Sequence, residues 1–231
     1  IPSRNASFNI GNFEVNEIKN ENLPTVSVYT SEYGHQLISS YFRQLGILSM
    51  SDASEYIAQD VSNSYKLFTN LFGNLSLNSI RATEIPYTHG EAFPGLIHLG
   101  WHTVIQTRFK GEDEVFRAHE VAHQWWGIGV DFKTYHDQWL SEGFATYSGL
   151  WYLQAVKNDN ELFFDILDEY RDNIINVREY IFSSGQEAGP VWLGYRTSSS
   201  DTKGDYNLIV YKKGAWILHM LRAMLLELNT M

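Results

Sequence analysis

The 231-residue chain contains no cysteine. That absence excludes disulfides and thiolate metal sites, so any metal must be held by His, Asp or Glu, and it leaves the compartment open. Basic residues are few: 17 Lys and Arg stand against 27 Asp and Glu, for a net charge of -10. Such a balance argues against binding nucleic acid through its phosphates and favours neutral or cationic ligands. No apolar run reaches the roughly 18 residues of a membrane span. What the chain does have is apolar and aromatic side chains, 44% and 15% of it, enough to exclude disorder and to build one large domain with a core. It opens Ile1-Pro2-Ser3 without an initiator Met and stops at Met231 straight after an apolar helical pattern, so it is expected to be a piece of a longer protein.

Residues 1–24 are rich in Asn and lack helical periodicity. Alternation around Phe8, Ile10 and Phe13 predicts a strand or two there, expected to be the remnant of a preceding β domain or a linker. Residues 25–231 are expected to form the main domain. Thr25 to Thr30 is β-branched and alternating, hence a strand, and 34–45 fits a short helix ended by Gly46. Ile57, Val61, Tyr65, Phe68 and Phe72 recur three or four apart, predicting a helix over 53–72 capped by Ser51-Asp52 and stopped by Gly73. Strands are predicted over 77–84 and 96–105, around the turn-rich THGEAFPG. Further helices are predicted over 112–126, 138–156, 161–181 and 213–228, with a Gly- and Ser-rich loop from Ser183 to Asp205 between the last two.

His119-Glu120-Val121-Ala122-His123 is H-E-x-x-H inside a predicted helix. The spacing of four puts both imidazoles on one face, one turn apart, where both can reach one zinc ion, and Glu120 projects beside them to take a proton from water. Alone, the pentapeptide also fits a helix with two surface histidines. A catalytic zinc needs a third protein ligand and an open fourth position. Glu142, in Trp139-Leu140-Ser141-Glu142-Gly143-Phe144-Ala145, opens the next predicted helix. Its neighbours are mostly apolar, unlike those of a solvated helix carboxylate. A third histidine six residues past His123 is ruled out, because Trp126 and Gly129 occupy the positions that such a motif needs.

HEVAHQWWG followed by WLSEGFATY resembles the M1 family of zinc aminopeptidases, a gluzincin family, over roughly residues 26–231. The resemblance implies a thermolysin-like α+β fold, a small mixed sheet plus a helical lobe with zinc in the cleft. It implies one Zn2+ held by His119, His123 and Glu142, with Glu120 as the base that activates water. Tyr211-Lys212-Lys213-Gly214 matches the family's Y-x-K-G, so by resemblance the Tyr211 hydroxyl stabilises the tetrahedral intermediate; a tyrosine packing at a helix start is the plainer alternative. Asp137 is a candidate acceptor for a ligand imidazole N–H, against an ordinary loop aspartate. The substrate implied is a peptide cut at its N-terminal residue; no nucleic acid or membrane span enters, and the oligomeric state is open.

The chain departs from the family in one functional stretch. Members carry G-A-M-E-N on an edge strand, where the glutamate binds the substrate's free amine. Here the stretch is His89-Gly90-Glu91-Ala92-Phe93, anchored by Gly95-Leu96-Ile97, and these five residues are the candidate substrate-binding edge. Without a gap, Ala92 stands at the glutamate's place. Glu91 is one residue off, and in a strand such a slip sends the side chain to the opposite face unless a bulge re-aims it. Two other readings therefore stand beside an aminopeptidase: a peptidase without a strict free-amine requirement, and a zinc-binding domain without turnover.

Overall fold

Five strands, β1 (Phe13–Ile18), β2 (Thr25–Ser31), β3 (Ser79–Ile85), β4 (Glu91–Phe93) and β5 (Leu96–Gly100), hydrogen-bond in the order β1-β2-β3-β5-β4. They belong to a computed structural model that describes residues 6–31, 50–87, 89–100, 103, 111–175, 189–198 and 205–228. The sheet is mixed: β2, β3 and β5 run parallel, while β1 and β4 pair antiparallel at the two edges. One face carries Val26, Val28, Ile80, Ala82, Ile97 and Leu99, all buried. Helix α1 (Met50–Phe72) connects β2 to β3 and packs on β1 and β2. Its stripe of Ile57, Val61, Tyr65 and Phe68 is buried, as the three-and-four spacing requires. Helix α2 (Glu112–Ala122) packs against α1 and β5. Together these form one unit, up to Gly129.

The second unit starts at Val130 and is helical. It holds α3 (Gln138–Ala155), α4 (Asn160–Ile175) and α5 (Gly214–Leu228), with short 3-10 helices at Tyr135–Asp137 and Val191–Thr197. Leu150, Leu153, Phe163, Leu167, Ile209 and Val210 are buried in its core. Asn207–Lys213 is π-helical and runs directly into α5.

A small mixed sheet and a helical lobe make up the α+β organisation expected from the sequence. β1 pairs with β2 in the same sheet, so residues 13–18 are its first strand. The predicted strand over 96–105 stops at Gly100 and the predicted helix over 112–126 at Ala122; Trp125 lies in the turn that follows and Trp126 in an isolated β-bridge. The π-helical segment was not foreseen, because i→i+5 bonding has no periodic apolar signature in so short a stretch. The predicted helix over 34–45 and most of the Ser183–Asp205 loop lie outside the described residues.

Candidate metal centre

Helix α2 is fixed before it presents any chemistry. Arg117 donates from Nε and Nη2 to Asp60 Oδ2 at 3.0 and 2.7 Å, and from Nη1 to the Thr103 carbonyl at 2.8 Å. Both members of this ion pair are 3% exposed. One turn past the helix, Trp125 meets Tyr65 at a tilt and Phe68 and Phe72 edge to face, and donates from Nε1 to the Gly73 carbonyl at 2.9 Å. Gln124, also buried, bonds at both ends of its amide: Nε2 donates to the Phe93 carbonyl at 3.0 Å, and Oε1 accepts from Gly95 N–H at 2.9 Å. The helix carrying the histidines is thereby tied to the turn between β4 and β5.

His119 and His123 stand one turn apart with Nε2 atoms 2.9 Å from each other. His123 Nδ1 lies 2.8 Å from the Trp126 carbonyl. A carbonyl can only accept, so this Nδ1 carries the proton and Nε2 keeps its lone pair. The helix has ended by Trp126, which frees that carbonyl from helical bonding. One ligand atom from each of His119, His123 and Glu142 lies within 4.8 Å of the others. Two imidazoles and a carboxylate are the nitrogen and oxygen donors that zinc accepts, and an Nε2 lone pair directed at its neighbour's Nε2 suits a cation. This donor set fits a zinc ion. Glu120 is buried beside the histidines.

The edge strand answers the question left by its sequence. β4 pairs with β5 in continuous register, Glu91 opposite His98, Ala92 opposite Ile97 and Phe93 opposite Leu96, with no bulge. Glu91 and Ala92 therefore face opposite ways. The Gly90 backbone lies against the Glu120 carboxylate, where an added methyl would overlap it. Alternation puts Ala92 on the same side as that contact and Glu91 on the other. There the Glu91 carboxylate is exposed, 3.8 Å from His98 Nδ1, and the Phe93 ring centroid is 5.1 Å from that of His98. Burial holds the His98 imidazole below its usual pKa against the opposing pull of Glu91. His89 is exposed and stacks on Tyr87.

In the helical unit, Glu142 lies in the first turns of α3. Gly143 beside it touches Gly214, at the start of α5: a methyl built on Gly143 would come 3.1 Å from Gly214 Cα, and the converse holds. Only two glycines allow the backbones to approach so closely. Tyr211 sits three residues before Gly214 in the π-helical segment. The Tyr206 and Tyr211 rings meet edge to face, centroids 5.7 Å apart, and the Tyr206 hydroxyl hydrogen-bonds with Tyr211 and Gln138. Burial, then the Glu142 charge, push the Tyr206 phenol up to about 12.

Asp137 bonds within its own turn. Its Oδ2 accepts from Thr134 N–H at 3.1 Å and from Thr134 Oγ1 at 3.0 Å, closing the 3-10 turn before α3. Sequence reasoning missed Arg117, Gln124 and Tyr206. For the first two a signal existed, polar side chains at positions flanked by the motif and by tryptophans. For Tyr206 there was none.

The model of the peptidase family M1 domain matches residues 106–229. Similar curated proteins include endoplasmic reticulum aminopeptidase 2 of Bos taurus, 37% identical over 112 residues, and aminopeptidase N of Haemonchus contortus, 31% identical over 111. Each match covers 48% of this chain and 11% of the relative, so the chain spans a small part of the length of these proteins. A solved structure of an M1 zinc metallopeptidase from Deinococcus radiodurans, in a mutant form, matches with a TM-score of 0.58 over 91% of this chain and 40% of that one, at 17% identity. The fold is that of a metallopeptidase domain. The chain belongs to peptidase family M1.

Proposed function

We propose that this chain carries the zinc-dependent peptide-bond hydrolysis site of its parent protein, with His119, His123 and Glu142 as the ligands. The reading is supported above all by the convergence of those three ligand atoms within 4.8 Å. When bound, zinc supplies Lewis acidity, acidifying a water and polarising the scissile carbonyl. Glu120 takes the proton of the attacking water and passes it to the leaving amine. Its burial restricts competing solvent, and the Gly90 backbone against it limits its rotamers. Tyr211 donates its hydroxyl proton to the developing oxyanion.

The decisive variant is Glu120→Gln, which keeps size and removes the base. About one zinc per chain is expected in both proteins by metal analysis, with hydrolysis reduced roughly 100- to 10,000-fold in the variant alone. Wild-type protein without stoichiometric zinc would overturn the assignment, and a variant with full activity would remove Glu120 from it.

Removal of N-terminal residues is the finer reading, supported by the names of the aminopeptidases that the chain resembles. A second reading, peptidase action without a strict free-amine requirement, is favoured by β4, whose Glu120 side presents Gly90 and Ala92 rather than a carboxylate. Amino-acid amides and N-blocked peptides separate the two. Turnover of free-amine substrates alone supports the first reading, and comparable turnover of both supports the second.

A further inference from the structure

His98 occupies a place on β5 that suits it only while it is neutral. It is 5% exposed and stands directly opposite Glu91 of β4, with the ring of Phe93, from the same edge strand, 5.1 Å away between centroids. Its Nδ1 is 3.8 Å from the Glu91 carboxylate, too far for a hydrogen bond, and its Nε2 is buried with no hydrogen-bond partner among the described residues. A neutral imidazole has a single N–H, whereas a protonated one has two and a charge. Here the second N–H meets no acceptor, and burying such a donor on a charged ring is costly.

The surrounding charges do not offset that cost. On β3, Thr83 stands opposite His98 and is uncharged, while Arg81 on the same face is exposed. The charges of α2 lie across the sheet edge, on the side where Gly90 meets Glu120. Burial holds the imidazole below its usual range; Glu91 pulls the other way and His89, just before β4, repels. The Glu91 carboxylate is 59% exposed, so water screens its attraction.

We propose that His98 is an acid-sensitive latch, whose protonation loosens β4 from β5 and releases the edge that carries the candidate substrate-binding residues. Opening β4 uncovers the imidazole and lets it take a proton in water, so acidification below about pH 6.5 favours the open edge. The bond from Gln124 to the Phe93 carbonyl and the contact of Gly90 with Glu120 go with it. The latch rests on the fold, and its bearing on turnover rests on the hydrolytic role proposed above for Glu120.

The test is amide hydrogen exchange of the full chain at pH 7 and pH 5, each rate divided by the intrinsic chemical rate at that pH. Protection in β4 is expected to fall about 3- to 30-fold relative to β2, the upper figure being the limit for a histidine of ordinary pKa once uncovered. His98→Phe keeps a flat ring against Phe93 and is expected to abolish this fall. Glu91→Gln, a change at an exposed side chain, is expected to make it about twofold larger. No fall in the wild type, or the same fall in His98→Phe, would overturn the proposal. Should His98→Phe fail to fold, a fall in Glu91→Gln no larger than in the wild type would overturn it. Failure of the Glu120→Gln test would remove the hydrolytic reading and leave these exchange results standing.

Discussion

Helix α2 is held by polar anchors: a buried guanidinium on Asp60, a tryptophan N–H on the Gly73 carbonyl, and a glutamine amide spanning the β4–β5 turn. The segments that carry Glu142 and Tyr211 are held by backbone proximity, with Gly143 against Gly214 and a π-helical stretch beside them. A helix that must aim two imidazoles needs its rotation about its own axis set, and directional bonds from Arg117 and Gln124 do that. Two helices that must bring a carboxylate and a phenol close together need small residues where they touch. Each solution has its own weak point. Polar anchors fail when one partner is left charged in the core, and a glycine contact fails when a methyl is added.

The largest effect is expected from breaking the polar anchor. Asp60→Ala leaves Arg117 charged and buried, and should cost ~3–5 kcal/mol in denaturant unfolding. Hydrogen exchange should show protection lost first in α2. A cost under about 1 kcal/mol would mean that apolar packing, not the ion pair, sets α2. Gly143→Ala should cost ~1–3 kcal/mol by overpacking, with protection lost in α3 and α5 and retained in α2. Equal loss in α2 would blur the distinction between the two modes of support.

The smallest effect is expected from pH, at a site remote in sequence from the candidate metal ligands. His219 lies among Phe163, Phe164 and Trp216, with Nδ1 3.2 Å from Tyr147 Oη, while Arg222 donates to that same oxygen. Burial, then the Arg222 charge, hold its pKa below the ordinary 6.5. The unfolded chain therefore takes up a proton that the folded one resists. The associated stability is fully present above about pH 6.5 and is lost as pH falls through the lower folded value. His219→Phe should flatten the decline of thermal midpoint between about pH 7 and 5; an unchanged slope would place the acid sensitivity elsewhere.

Much of this was legible because it is local. Apolar spacing along 53–72 marked α1 to within a few residues, and the spacing of His119 and His123 put their rings on one face, since both follow from 3.6 residues per turn. The edge strand was legible only up to a choice. The identity of residues 89–93 was plain, but which way Glu91 faces depended on whether β4 bulges. Only its pairing with β5 decides that. Asp137 shows the same limit: its carboxylate bonds to the Thr134 side chain, a partner that its own position in the sequence does not reveal.

By itself, then, the sequence determined the donor chemistry, because a chain without cysteine can offer a metal only imidazole and carboxylate, and it determined the helical phase of His119, Glu120 and His123. Tertiary structure decided which other groups join them. Residues far apart in sequence meet through packing, and no periodicity encodes the register of an edge strand or the extra residue in a π-helical turn.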